Sequence, residues 1–205
     1  MARPLNHPTL AQLRMALQNQ DDPFAVIIRG HQGIEALLLH ALCEVLTANH
    51  VSLKRVTFLA KVDLAIALKL LRPTSRNLAS YINAVRNRFA HEFGAKFTIK
   101  DTGQLLESFG PHQHHLSASS DLRSMTPSQL LAHACASLYI EIDHLLIDFH
   151  KTRVVNEVIT DMVLEALGDG PHTSGMPKHT EFVRQLADRL KAKGVLVDKP
   201  PSPGL

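Results

Sequence analysis

Residues 78–91 read Leu78-Ala79-Ser80-Tyr81-Ile82-Asn83-Ala84-Val85-Arg86-Asn87-Arg88-Phe89-Ala90-His91. Leu78, Ile82, Val85 and Phe89, with Phe93 just beyond, recur at three- and four-residue steps, the spacing of one buried stripe on an α-helix. Thr74 or Ser75, after Pro73, is placed to cap the helix N-terminus, and Gly94 is placed to stop it. At about 100° per residue, Asn83, Asn87 and His91 fall opposite the stripe, with Arg86 and Arg88 on its flanks. His91 is therefore expected on a solvent face rather than in the core.

From Leu64 to His91 the chain contains no Asp or Glu, while Lys69, Arg72, Arg76, Arg86 and Arg88 fall inside this window. A histidine, whose ring exchanges protons near neutral pH, thus stands at the end of a cationic surface suited to a phosphate. Arg86 and His91 are five residues apart, about 140° around an ideal helix, so they converge on one anion through the length of the Arg86 side chain or through an end of the helix near His91. Asn87 is four residues before His91 and in line with it.

The rest of the chain reads as helix. Among 205 residues there is no Trp, aromatic residues make up 5%, and 45% are hydrophobic; Leu and Ala abound, which favours helix over sheet. The patterning places helices near 9–20, 23–48, 53–72, 75–92, 101–109 and 127–167, and a short one near 178–193. Asp22-Pro23 is an N-cap followed by proline at the first helical position. The run from Phe58 to Leu71 is apolar nearly all round and is expected to be the central helix. From Thr126-Pro127 the residues Leu131, Cys135, Leu138, Ile142, Leu145 and Phe149 form a packing seam that becomes less regular past Lys151.

Segments 110–126 and 168–177 have loop composition, and the tail from Asp198 has the composition of a disordered end. The expected organisation is a helical domain over 1–167, followed by linker, short helix and tail over 168–205. Cys43 and Cys135 lie in apolar stretches and read as thiols rather than a bridge. With no apolar leader and no stretch of membrane-spanning length, the expected location is the cytoplasm, with no membrane partner. The formal charge is only +3, and the charges in 141–169 are mostly acidic (Glu141, Asp143, Asp148, Glu157, Asp161, Glu165 and Asp169 against Lys151 and Arg153), so one face is expected to attract an anion and another to repel it.

Thirteen histidines raise the question of a metal. Glu141-Ile142-Asp143-His144 is one Glu-x-x-His half-site, and His31 with Glu35 are potential facing ligands, but a di-iron bundle needs two such pairs and two further glutamates. His112-Gln113-His114-His115 sits in a loop without a cysteine or acidic partner at fixed spacing. No metal site or cofactor is expected. Glu35, in an apolar helix, must find a partner among Asp, Glu or Lys of neighbouring helices. Phosphate-loop, dinucleotide, nucleophile-elbow and paired-cysteine motifs are absent.

The core Arg86-Asn87-x-x-x-His91, at the end of a helix in an all-helical chain, resembles the HEPN superfamily. Phe58–Leu68, Ile82–His91, Phe97-Thr98-Ile99-Lys100-Asp101 and Gly33-Ile34-Glu35-Ala36-Leu37-Leu38 are similar to the branch that holds the mannitol operon repressor. The resemblance implies an all-α, HEPN-like bundle with a long C-terminal helix and a short extra helix, dimerising through the motif helix so that two motifs face one groove. It implies metal-independent cleavage of RNA, as in a toxin or defence effector. His91 would act as general acid or base, Arg86 as the clamp on phosphate charge, and Asn87 as an orienting group, with Arg72, Arg76 and Arg88 as further phosphate contacts. Some toxins of the superfamily are silenced by modifying a tyrosine two residues past the histidine, where this chain has Phe93. The alternative is a non-catalytic regulator of transcription that binds a protein partner with the same bundle; an antitoxin is the corresponding partner of a nuclease.

Overall fold

The computed structural model describes residues 7–18, 20–46, 53–110, 122–168 and 179–195. The described residues form an all-helical bundle: α1 (Leu10–Gln18), α2 (Pro23–Leu46), α3 (Phe58–Ala67), α4 (Arg76–His91), α5 (Ile99–Ser108), the long α6 (Pro127–Gly168) and the short terminal α7 (His179–Ala192). Short 3-10 turns at Pro73–Ser75 and Leu122–Ser124 precede α4 and α6.

Threonine sets most of the helix starts. Thr9 and Gln12, and again Thr126 and Gln129, exchange side-chain to backbone hydrogen bonds at the heads of α1 and α6, the reciprocal arrangement that satisfies two orphan N–H groups. Thr57 caps α3, and Thr98 with Asp101 forms a capping box on α5. As expected, Asp22 accepts from the Phe24 N–H at the head of α2. The head of α4 differs from expectation. Ser75 makes no side-chain cap there; its hydroxyl donates instead to buried Glu141 on α6, at 2.7 Å.

By packing, the chain forms two compact units, Met1–Leu146 and Ile147–Leu205. In the first, α2 is central, packing against α1, α3 and α4 and burying Val26, Ile27, Ile34, Leu37, Leu38, Ala41 and Leu42. Each of these valine, leucine and isoleucine side chains contributes about 1.5–3 kcal/mol when fully buried. α2, not the Phe58–Leu71 run, is thus the core helix. That run breaks because Leu68 ends the helix and Lys69 turns to φ 61°, with Lys69 N–H donating to Ile66 C=O and Leu70 N–H to Ala65 C=O. This is a Schellman ending with lysine where glycine is usual. α2 also carries Gly30 against Cys135 of α6 and Gly33 against Leu13 of α1, where a Cβ would stand 2.8 Å from Cys135 Cβ and 2.8 Å from Leu13 Cδ1, respectively.

The α6 seam is buried at Leu131, Cys135, Leu138 and Ile142 and only partly so at Leu145 and Phe149. Pro127–Leu164 is long and apolar enough to cross a membrane by length and composition, a correction to the expectation that no stretch is; over half of its most apolar window is buried inside the protein. In the second unit, Val158, Met162 and Leu190 form a small core with Val154, Val155, Leu186 and Val195. The His112–His115 cluster, most of the two predicted loops, and the tail lie outside the described residues.

Candidate functional site

α4 forms as its stripe dictates, burying Leu78, Ile82 and Val85. Phe89 is only partly buried, edge-on to Phe24 with ring centroids 5.9 Å apart. Phe93 leaves the stripe altogether and is fully exposed, because α4 stops at His91, Glu92 is extended and Gly94 turns with φ 77°.

The opposite face carries the expected polar residues. Asn87 and His91 are exposed, and Arg86 is half-buried. Arg86 Nη1 donates to Asn87 Oδ1 at 3.0 Å; among the described residues it pairs with no carboxylate. The other two arginines of α4 do. Arg76 forms a two-pronged bond with Asp63, at 2.6 and 3.3 Å. Arg88 donates to Asp101 at 2.7 Å and to Lys96 C=O, clamping the connection between α4 and α5. Burial opposes a charge on Asp101, but the bonds from Arg88 and Thr98 outweigh it and hold the carboxyl at about 2.

Arg72 has an exposed side chain, while its backbone N–H donates to Glu141 at 2.9 Å. Arg76 and His91 stand at opposite ends of α4, about 22 Å apart along the axis at 1.5 Å per residue. The helix therefore gathers Arg86, Asn87 and His91 at one end and leaves Arg72 and Arg76 at the other. No family model, no curated protein and no solved structure matches this chain. The site therefore has to be read from its own geometry.

A second group of residues joins the polar face from below. His31 of α2 is buried, its Nε2 3.3 Å from Asn83 Oδ1 and its ring 4.3 Å from that of Phe58. Its Nδ1 is 4.0 Å from Glu35, whose other oxygen accepts from Lys61 Nζ at 2.6 Å. Burial lowers the His31 pKa more than Glu35 and Asn83 raise it, and the Arg86 charge adds to the lowering. The bond to Asn83 oxygen places the neutral imidazole proton on Nε2 and leaves Nδ1 toward Glu35.

Lys61 answers which partner Glu35 finds. The available signal was a lysine in the apolar run of α3 and a glutamate in the apolar middle of α2; nothing marked His31 or Asn83 as their continuation. Of the residues considered for metal, Glu141 binds Ser75 and Arg72 N–H, Glu35 binds Lys61, and His144 is exposed. A cleft of about 410 Å³ lined by Arg14, Leu17, Gln129, His133 and Ser137 includes no residue of α4.

Proposed function

We propose that this protein is a metal-independent endoribonuclease of HEPN type, working as a homodimer with its α4 polar faces turned to one groove. The observation that carries the reading is the unequal treatment of the α4 arginines. Arg76 and Arg88 are neutralised by carboxylates, whereas Arg86 is held by the neutral amide of Asn87 on the face that also exposes His91. A guanidinium without a carboxylate partner among the described residues, on the same end of the helix as an exposed histidine, is an arrangement suited to a phosphodiester.

In this reading the ribose 2′-oxygen attacks the adjacent phosphorus, the bond to the 5′-oxygen breaks, and a 2′,3′-cyclic phosphate and a 5′-hydroxyl form. His91 takes the 2′-hydroxyl proton or supplies one to the leaving oxygen, with the second copy's His91 serving the complementary step. Arg86 stabilises charge growing on the non-bridging oxygens, and Asn87 fixes its direction. Exposed Ala84 and Ala90 flank this face and leave room for close approach of a second copy. Arg72 would contribute long-range attraction for RNA. Arg76 and Arg88, committed to Asp63 and Asp101, would serve the fold first.

The test is incubation of the purified protein with mixed RNA, with and without EDTA, beside a His91→Ala control. Cleavage that survives EDTA, leaves cyclic phosphate ends and disappears in the variant is the expected result. Cleavage that EDTA abolishes, or that persists without His91, refutes it; RNA binding without cleavage would favour the regulatory alternative, in which the same bundle and groove hold a partner.

A further inference from the structure

We propose that Glu35 is a specificity residue of this groove, a carboxylate that reads the adjacent N1–H and N2–H donors of a guanine two or three nucleotides from the scissile phosphate. The inference rests on the ribonuclease reading above.

Three features set Glu35 apart. Its side chain is 38% exposed, while those of Lys61 and His31 are 2% and 5% exposed. The carboxylate is thus held by a buried ammonium on a side chain that is itself more than one-third exposed. A buried ammonium–carboxylate pair adds little net stability over apolar residues of the same volume; what it does supply is an acceptor in a set orientation, its charge offset so that backbone phosphates are not repelled. Through His31 and Asn83 the group joins the face that carries Asn87 and His91.

Its position excludes a share in the bond-breaking step within one chain. The contacts Phe24–Phe89 and His31–Asn83 make α2 run antiparallel to α4, so Glu35 lies beyond Asn83 as seen from His91. Asn83 and His91 are eight residues apart, about 12 Å along the helix. An acid and a base acting on one phosphate must each come within hydrogen-bond reach of it. Glu35, one turn past His31 on α2, lies about 18 Å from His91 along the helix axis, so it is placed to meet a nucleotide two or three positions away from the scissile phosphate.

A carboxylate only accepts hydrogen bonds. Single-stranded RNA is read mainly on base edges, and guanine alone presents two donors side by side on its Watson–Crick edge. Adenine and cytosine offer one amino group, and uracil one imide N–H. A matched bidentate contact discriminates by about tenfold or more.

The experiment uses oligouridine carrying one guanosine, one inosine or one adenosine, with cleavage and binding measured on the unmodified protein. Inosine lacks the N2 amine and needs no protein variant. The guanosine substrate should be favoured about tenfold over adenosine, with inosine losing most of that advantage. In Glu35→Gln combined with Lys61→Met, which leaves no unpaired ammonium, the guanosine-to-adenosine ratio should fall to about one. Equal handling of guanosine and inosine, or a guanosine preference that persists in the double variant, overturns the proposal while leaving the ribonuclease reading in place. Failure of every substrate to bind or react overturns both.

Discussion

Replacing either partner of the Lys61–Glu35 pair removes the same 2.6 Å contact, yet the two losses should differ greatly. Glu35→Ala leaves an ammonium whose side chain is 2% exposed without its carboxylate. Breaking a buried pair from one side costs about 3–5 kcal/mol, and the partial exposure of Glu35 puts this case near the lower end, about 3 kcal/mol. Against a typical total of about 5–15 kcal/mol, that is a large share. Lys61→Met instead exchanges a buried charge for an apolar chain of similar length and leaves a half-exposed carboxylate that water can solvate; its cost should stay within about 1 kcal/mol. The double variant should recover most of the Glu35→Ala loss. Urea denaturation of the four proteins, read by far-UV circular dichroism, gives all the values needed for the cycle. Equal costs for the two single variants, or a Glu35→Ala cost below about 1 kcal/mol, would show that Lys61 reaches solvent and that the pair is not a buried one.

Phe89→Ala should cost about 2 kcal/mol, below the range for a fully buried phenylalanine, whereas Phe93→Ala should change the denaturation midpoint negligibly; a loss at Phe93 as large as at Phe89 would contradict its exposure. Lys69→Gly should stabilise the protein by about 0.5–1 kcal/mol by relieving a left-handed backbone at a non-glycine residue, and a lower melting temperature would refute this. Burial lowers the pKa of His31 and His133 below their unfolded value, so the unfolded chain takes up protons first as pH falls. Stability should be full above pH about 6.5 and decline through the folded pKa values below it. Melts at pH 8 and pH 5 with the same midpoint would disprove that assignment. A later loss of up to about 2 kcal/mol should follow between pH about 4 and 2, as Asp101, held at about 2 in the fold, is protonated.

The pattern of apolar steps was enough to place α2, α4 and α6, because each depends on one face meeting a core. Asp22-Pro23 and Gly94 marked chain boundaries through local backbone chemistry. Periodicity does not say where a polar group finds its partner. Ser75 looked like a helix cap because its neighbours suit one, but its hydroxyl is taken by Glu141 from a helix far along the sequence. Arg76 and Arg88 looked free because both partners lie outside the acid-free window, Asp63 just before it and Asp101 ten residues past its end. The exposure of Asn87 and His91 followed from the wheel, whereas the His31–Asn83 contact required two helices to meet in one register.

Gly30 shows how distant packing reaches this register. With no side chain, it lets the backbone of α2 approach Cys135 so closely that an added Cβ would overlap the sulfur. Cys135 itself is sealed, its thiol pushed up to about 12 by burial, so it is poorly suited to redox chemistry and serves instead as a spacer. The residue after Gly30 is His31, which reaches Asn83 at 3.3 Å, already the long end of a hydrogen bond. One methyl group at Gly30 would therefore act as a wedge, displacing the helix by a fraction of its width and carrying His31 and Glu35 with it. The placement of His31 and Glu35 is thus set by a vacancy one carbon wide on the adjoining face of the helix.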